Sequence, residues 1–149
     1  MADTVAELGV PVVMMHNRDY ADADIDILAD MDRFFETSMA LAERAGIAKE
    51  KQILDPGFGF GKTIDQNFLI LNRLETLQKH GLPILAGASR KRMIGAVLGV
   101  ETDERLFGSI AVHMTAVMKG ASIIRVHDVR PHADCVRISQ ATRLERNPV

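Results

Sequence analysis

The order of apolar and polar positions along the chain predicts strands that alternate with helices. Short apolar runs have the length and composition of buried strands, at 11–15, 52–54, 83–87 and 122–126. The segments between and after them have the length and patterning of helices, at 26–45, 65–79, 90–98, 103–119 and 131–144. Because strands that alternate with helices form parallel sheets, the pattern predicts an α/β protein built from four βα units.

Two of the predicted helices have a well-defined apolar face. The 26–45 helix ends before Gly46, and its predicted inner face is Ile27, Met31, Phe34, Ser38 and Leu41. The 65–79 helix ends before Gly81, and its predicted inner face is Phe68, Leu71, Leu74 and Leu77. A further helical turn is expected at residues 4–8, followed by Gly9 as its C-terminal cap.

Composition narrows the class of protein further. With 149 residues, residues 1–149 are expected to form a single domain. The net charge of −2 provides no basic field for nucleic acid. Cys135 has no partner for an intramolecular disulfide, and the sequence shows neither a signal-peptide pattern nor an apolar run long enough for a membrane span. A cytoplasmic protein that binds neither nucleic acid nor membranes is therefore expected.

A glycine-rich segment follows the second predicted strand. It reads Asp-Pro-Gly-Phe-Gly-Phe-Gly-Lys-Thr over residues 55–63. A phosphate-binding P-loop would need glycine at Pro56, and a dinucleotide fingerprint would need glycine at Lys62, so both motifs fail by one residue. Glycine allows close backbone approach, phenylalanine offers a flat apolar face, and Asp55 can accept N–H donors. The segment therefore indicates a site for a flat heterocycle, with a flexible βα loop as the alternative.

Charged and small residues end the third and fourth predicted strands. Gly87, Ala88 and Ser89 precede a cationic run at 90–92, with Ser89 as the expected N-cap of the next helix. Since side chains alternate across a strand, Arg125 and His127 should share one face and suit phosphate oxygens. The alternatives are a solvated basic loop for the first cluster and a structural Arg–Asp pair for the second.

The histidines outside this cluster show no metal-ligand spacing. His16 follows the first strand and is expected to be a strand-end hydrogen bonder. His80, His113 and His132 have the sequence context of surface or core histidines, and none has a metal-ligand spacing to another His, Cys or carboxylate.

The combined motifs resemble those of dihydropteroate synthase. The resemblance rests on Leu-Asp-Pro-Gly-Phe-Gly-Phe-Gly-Lys at 54–62, Ser-Arg-Lys at 89–91 and Ile-Ile-Arg-Val-His-Asp-Val at 123–129, and it extends over essentially the whole chain. It implies the C-terminal half of a (β/α)₈ barrel, a fold that needs about 250 residues when complete. It also implies condensation of p-aminobenzoate with 6-hydroxymethyl-7,8-dihydropterin pyrophosphate, giving 7,8-dihydropteroate and pyrophosphate for folate synthesis.

The same resemblance assigns expected roles to individual residues. Residues expected to bind the pterin are Asp55, Lys91, Met15, Phe60 and Gly87. Ser89 is expected to receive the p-aminobenzoate carboxylate, and Arg125 with His127 is expected to hold the pyrophosphate. Lys91, Arg125 and His127 are the expected catalytic residues. Sulfonamide drugs imitate the p-aminobenzoate in this family.

The family's first four βα units have no counterpart in this sequence. They include an Asn-x-Thr-Pro-Asp-Ser-Phe loop whose Asn meets Mg²⁺, so the metal ligand is expected outside this chain. The alternatives to an active synthase are a catalytically silent pterin-binding half-barrel and the pterin-binding module of a related methyltransferase. The Ser-Arg-Lys run argues against the methyltransferase, because that loop serves p-aminobenzoate. A half-barrel is also expected to form homodimers or to self-associate.

Overall fold

A computed structural model describes residues 1–146 and shows strands alternating with helices. The helices are α1 (Ala2–Leu8), α2 (Ile27–Arg44), α3 (Ile64–Asn72), α4 (Arg92–Leu98), α5 (Leu106–Met118) and α6 (Val129–Leu144). The strands are β1 (Val12–Met15), β2 (Gln52–Asp55), β3 (Leu85–Ala86) and β4 (Ile123–Ile124). The prediction of an α/β fold with parallel strands is confirmed.

The strands lie side by side in chain order. β1 pairs in parallel with β2, placing Met15 opposite Asp55, and β3 pairs in parallel with β4. A parallel bridge between Leu54 and Ile84 connects the two pairs. The carboxyl ends of parallel strands meet at one edge of a sheet, so the segments that follow β1, β2, β3 and β4 share that edge.

The hydrophobic core lies between the strands and the inner faces of the helices. The fully buried side chains include Leu54 from β2 and Ile84 directly before β3, with Ile27, Phe35 and Ile70 from the helices. Asp26 caps the N-terminus of α2 by accepting hydrogen bonds from two backbone N–H groups. A reciprocal capping box at Thr63 begins α3 directly after the glycine-rich segment.

The predicted inner face of α2 is partly wrong. Ile27 and Met31 are buried as expected, but Leu41 is 49% exposed and Phe35 is completely buried. Phe34 and Ser38 are only partly buried. The helix therefore turns Phe35 and Ala42 toward the core, a face rotated by one residue from the one predicted.

Three element boundaries also differ from the prediction. The 65–79 segment is an α-helix only to Asn72 and continues as a 3₁₀-helix over Leu74–His80. Leu74 and Leu77 are both buried, because a three-residue period keeps them on one face. The 103–119 helix begins at Leu106, after a short 3₁₀ turn at Thr102–Glu104. The last helix begins at Val129, two residues earlier than expected.

The third and fourth strands are shorter than predicted. Only two residues of each lie in the ladder, although Arg125 still donates its backbone N–H to the Ala86 carbonyl at 3.0 Å.

A cavity of 990 Å³ lies between α5, β4 and α6, and it is lined by Met114, Val117 and Cys135 among others. No helix within residues 1–146 is long and apolar enough to cross a membrane.

Candidate functional site

The glycine loop, residues 57–61, packs tightly against the loop that follows β1. Gly57, Gly59 and Gly61 all have positive φ, at 66°, 82° and 57°. A Cβ on Gly57 would lie 2.0 Å from the His16 carbonyl oxygen, and one on Gly61 would lie 2.2 Å from that of Arg18. Glycine is therefore required at both positions by conformation and by space.

The buried Lys62 ammonium connects the glycine loop to the loop after β1 through hydrogen bonds. Its side chain is 3% exposed, and its Nζ donates to the carbonyls of His16, Gly57 and Phe60 at 3.1, 2.9 and 2.9 Å. Burial lowers the pKa of the ammonium to about 8, although the nearby Asp55 and Asp30 carboxylates oppose the shift. Lys62 was not among the residues predicted from the sequence to belong to the site. A lysine directly after a glycine run, where backbone carbonyls point inward, was the available signal.

Asp55 ends β2 beneath the glycine loop. The residue is 4% exposed, and its Oδ1 accepts a hydrogen bond from the Gly57 N–H at 2.8 Å. Within residues 1–146, Oδ2 accepts no protein hydrogen bond. Burial raises the pKa of the carboxyl, while the Gly57 N–H and the cations Arg125, Lys62 and Lys91 act in the opposite direction. The carboxylate therefore has one oxygen fixed by the loop and one available to a ligand donor.

Phe60 and Lys91 form a pair across the mouth of the site. The Lys91 ammonium lies 4.2 Å from the centroid of the Phe60 ring, at cation–π distance. The Lys91 stem also runs over Gly59, where an added Cβ would lie 3.3 Å from Cδ. Burial lowers the pKa of Lys91, Arg125 acts in the same direction, and Asp55 opposes the shift.

The ends of β3 and β4 bring four of the predicted site residues together. Extending the strand register places Gly87 beside Arg125 and Ser89 beside His127. A Cβ on Gly87 would lie 2.9 Å from Arg125 Nη2, so the guanidinium occupies the space that this glycine leaves. Ser89 Oγ accepts the His127 N–H at 3.2 Å and lies 2.9 Å from His127 Nδ1. The predicted shared face of Arg125 and His127 matches these contacts.

Ser89 does not cap the following helix as predicted. Helix α4 begins at Arg92 with Lys91 as its N-cap, and no side chain caps it. The Ser89 hydroxyl forms a hydrogen bond with the His127 imidazole instead.

A turn at Arg90 separates Ser89 from Lys91 and carries backbone strain. Arg90 has φ 57°, which is uncommon for a residue with a side chain. Its N–H donates to Ser109 Oγ at 2.8 Å, and its carbonyl accepts from Arg105 at 3.1 Å. Its guanidinium donates to both carboxylate oxygens of Asp128 at 2.8 and 3.0 Å. An Arg–Asp pair is therefore present here, but it uses Arg90 rather than Arg125.

His16 acts as the expected strand-end hydrogen bonder. It is buried, and its Nε2 donates to Asp30 Oδ2 at 3.1 Å, while Arg18 donates to the same oxygen at 2.8 Å. Burial lowers the pKa of the imidazole, and the Lys62 charge lowers it further. This network fixes the loop against which the glycine loop packs.

The sequence also predicted that His80, His113 and His132 are surface or core residues and that the metal ligand lies outside this chain. His113 and His132 are buried, with their rings 5.0 Å apart, as the core interpretation requires. The His80 side chain is 7% exposed, and its Nε2 lies 3.4 Å from Asp32 Oδ1. Across residues 1–146, no cluster of three or more His, Cys, Asp or Glu side chains could hold a metal ion.

The chain resembles known proteins in both sequence and fold. The model of a family described as pterin binding enzyme matches residues 1–127. The chain belongs to the pterin binding enzyme family.

Members of the pterin binding enzyme family with curated names confirm the resemblance to dihydropteroate synthase. The dihydropteroate synthase of Escherichia coli K12 is 45% identical over 146 residues, covering 94% of this chain and 52% of that enzyme. The Bacillus subtilis dihydropteroate synthase is 40% identical over 141 residues, covering 95% of this chain and 49% of that enzyme. The chain thus spans about half the length of these curated relatives.

A solved structure of the same family superposes closely. The dihydropteroate synthase of Clostridium difficile, crystallised in the presence of pteroic acid, matches with a TM-score of 0.92 and 42% identity. The match covers 95% of this chain and 54% of that one. The Xanthomonas albilineans enzyme with 4-aminobenzoic acid also matches with a TM-score of 0.92, at 43% identity over 95% of this chain and 52% of that one.

Proposed function

We propose that this chain is the C-terminal half of a dihydropteroate synthase, folded as the last four βα units of a (β/α)₈ barrel. On this proposal residues 1–149 are one partial pterin-binding domain, of which 147–149 lie outside the described residues. The reaction joins p-aminobenzoate to 6-hydroxymethyl-7,8-dihydropterin pyrophosphate and releases pyrophosphate. Support comes from the close match to barrel enzymes of that name, each about half covered by this chain.

The geometry around Asp55 is the observation that carries the proposal. A pterin ring presents an amino group and ring N–H donors along one edge, and a carboxylate can accept two such bonds at once. Asp55 is buried and keeps Oδ2 available, while Phe60 provides an apolar face beside it. Lys91 and Met15 flank the same position, since Met15 lies opposite Asp55 in the strand register. A flat donor-bearing ring satisfies all of these groups.

The ends of β3 and β4 are proposed to bind the anionic groups of the two substrates. Arg125, over Gly87, and His127 are assigned to the pyrophosphate, and the Ser89 hydroxyl is assigned to the p-aminobenzoate carboxylate. Since Ser89 and His127 are hydrogen-bonded, the two substrates meet at one shared contact. The hydrogen bond between Ser89 and His127 suits a reaction in which pyrophosphate leaves while p-aminobenzoate is held beside it.

The chemistry assigned to these residues follows from where charge develops. The bond between the pterin methylene carbon and the pyrophosphate oxygen breaks first, and the electron pair leaves with pyrophosphate. A guanidinium positioned there stabilises the growing negative charge. The aniline nitrogen of p-aminobenzoate then bonds to the methylene carbon and loses a proton. Mg²⁺ is assigned to the whole enzyme with its ligand outside this chain, and no step here depends on it.

Pterin binding without turnover is the second candidate function. The observation that favours it is the coverage of only 52% of the E. coli enzyme, because a site built from both halves of a barrel is incomplete in one. The two candidates share the same pterin contacts and differ only in product formation.

Two measurements test the proposal. Calorimetry should show that the chain binds 6-hydroxymethylpterin, and a product assay should detect 7,8-dihydropteroate when the chain is fused behind the first half of the E. coli relative. Inhibition of that fusion by a sulfonamide is the expected control. A folded fusion that binds pterin without forming product would favour the second candidate, and no pterin binding by the folded fusion would contradict both.

A further inference from the structure

Lys62 presents an unusual hydrogen-bond arrangement for a lysine. An ammonium group has three protons, and here three backbone carbonyls lie within 3.1 Å of Nζ. Two of these carbonyls belong to the glycine loop and one to the loop after β1, 46 residues earlier in the chain. The group is therefore saturated by backbone and has no proton left for a ligand.

The same carbonyls determine where the site residues lie. The Gly57 carbonyl follows the N–H that holds Asp55 Oδ1, and the Phe60 carbonyl belongs to the residue whose ring meets Lys91. A second bond, from the Phe60 N–H to the Gly57 carbonyl at 3.1 Å, closes the loop on itself. Displacing Nζ would leave this single hydrogen bond to hold the turn and would release the turn from the His16 carbonyl.

We propose that Lys62 is a positioning residue whose ammonium group holds the glycine loop in the shape that presents Asp55 and Phe60 to a ring-shaped ligand. It acts through backbone carbonyls and contacts neither ligand nor reacting atoms. The part of this inference that concerns pterin rests on the proposed function, whereas the part that concerns loop shape does not.

The ionisation of Lys62 gives the proposal a distinctive pH dependence. Its pKa is lowered to about 8 by burial, so the ammonium loses its charge within an accessible pH range. The charged groups acting on it are Asp55 and Asp30, which favour the ammonium, and Arg18, which opposes it. The titratable imidazole of His16 also faces Lys62, and burial together with the Lys62 charge lowers its pKa below the usual 6.5. After deprotonation only two protons remain for three carbonyls, so one carbonyl must lose its hydrogen bond from Nζ.

The first test uses the unmodified chain and requires no ligand. Carbonyl ¹³C shifts of His16, Gly57 and Phe60 should move together with the Lys62 Cε resonance, with a midpoint near pH 8. In Lys62→Met the three shifts should be displaced at every pH and should lose this midpoint. Lys49→Met is the matched control, because Lys49 is an exposed lysine, and it should preserve the titration. Carbonyl shifts that stay constant while Lys62 Cε titrates would overturn the proposal.

The second test links loop shape to binding, with 6-hydroxymethylpterin as the probe. Lys62→Met should weaken binding by about tenfold or more at pH 7, and Lys62→Arg should restore it only in part, since a planar guanidinium cannot direct three protons from one atom. The ratio of wild-type to variant affinity should fall as pH rises through 8, a comparison that cancels titration of the probe itself.

The outcomes separate the two proposals. If the carbonyl shifts follow Lys62 but neither protein binds the probe, the assigned function is wrong and the role of Lys62 in loop shape stands. If the probe binds equally to wild type and Lys62→Met with one pH profile, the positioning role is wrong and the function stands. Should Lys62→Met fail to fold, the ligand-free titration of the unmodified chain still decides.

Discussion

Arg125 lies beside Gly87 at the end of β4, and its guanidinium forms none of the ion pairs found within residues 1–146. The nearby Asp128 carboxylate is occupied by Arg90 instead. A buried structural pair would use up the charge of Arg125, whereas a free guanidinium next to Ser89 and His127 remains available to an anion. Because Arg90 forms the ion pair with Asp128, Arg125 is left to bind a ligand, and the structure favours that role.

Replacing Arg125 by alanine should slow the reaction strongly in the two-half fusion. The expected loss in kcat/KM for the pterin substrate is about 10²-fold or more, the scale of one lost transition-state donor. Arg130→Ala, at an exposed position two residues into α6, is the matched control and should leave the rate unchanged. A loss below about threefold would identify Arg125 as structural.

Asp55→Asn should weaken pterin binding more than p-aminobenzoate binding. An amide presents an NH₂ to one of the ring donors and leaves that donor unpaired, at a cost of about 1–3 kcal/mol. Calorimetry with a pterin analogue measures the difference, and Asp65→Asn on the exposed side of α3 controls for the loss of charge. Unchanged affinity would mean that Asp55 only shapes the loop through Gly57.

At the scale of elements, glycine can be required by backbone conformation alone or also by close packing, and Gly46, outside the glycine loop, can be compared with Gly57 to separate the two requirements. Gly46 and Gly57 both have positive φ, but a Cβ on Gly46 meets nothing within 4 Å, whereas one on Gly57 meets a backbone oxygen at 2.0 Å. Gly46→Ala should therefore cost about 1–2 kcal/mol of stability, the left-handed penalty alone. Gly57→Ala should cost clearly more and should abolish pterin binding. Equal costs in urea unfolding would contradict the packing requirement.

His113 connects β3 to α5 in a way that makes the fold sensitive to acid. Its Nδ1–H donates to the Ser109 carbonyl, and its Nε2 accepts the Ala88 N–H at 3.2 Å, so the neutral ring is required. Burial lowers the pKa of His113 from 6.5 to about 4. Because the unfolded chain takes up this proton first, the contribution is complete above pH 6.5 and is lost as pH falls toward 4.

The resulting slope should be visible in urea unfolding. Between pH 6.5 and 4 the free energy of unfolding should fall by about 3 kcal/mol from this residue, at 1.36 kcal/mol per pH unit. His113→Gln should be less stable at pH 8 but should show a shallower slope. Val112→Ala, at a buried apolar neighbour on α5, should lower stability without changing the slope. An unaltered slope in His113→Gln would refute the assignment.

The sequence predicted the order of elements and the edge that carries the site, because both follow from local pattern and from the shared edge of parallel strands. It did not predict where α3 gives way to a 3₁₀-helix, since leucines at 71, 74 and 77 fit either helix. It also missed Lys62 and the Arg90–Asp128 pair. The position of Lys62 after a glycine run is a local signal, but the sequence does not show that its partners are backbone carbonyls. Asp128 lies 38 residues from Arg90, so that pair leaves no local pattern.

At the scale of the whole molecule, the sheet has two open sides. β1 pairs only with β2 and β4 only with β3 within residues 1–146. Val13 on β1 is 45% exposed and Ile123 on β4 is 37% exposed, although both lie in apolar strands. Unpaired strand edges with apolar side chains are templates for association with another chain. Two such edges on one molecule offer a binding surface to a second copy of this chain or, on the proposed function, to the N-terminal half of a barrel.

The chain alone should therefore self-associate and should show little or no synthase activity. Sedimentation should detect assemblies larger than 16.4 kDa whose fraction grows with concentration. Val13→Lys combined with Ile123→Lys should shift the equilibrium toward monomer, because a charge on each edge opposes strand pairing. Val97→Lys on α4 is the matched control, since Val97 is 66% exposed on a helix and belongs to neither strand edge, so association should be unchanged. A monomeric chain at all concentrations, with normal turnover, would show that the open edges are not binding surfaces.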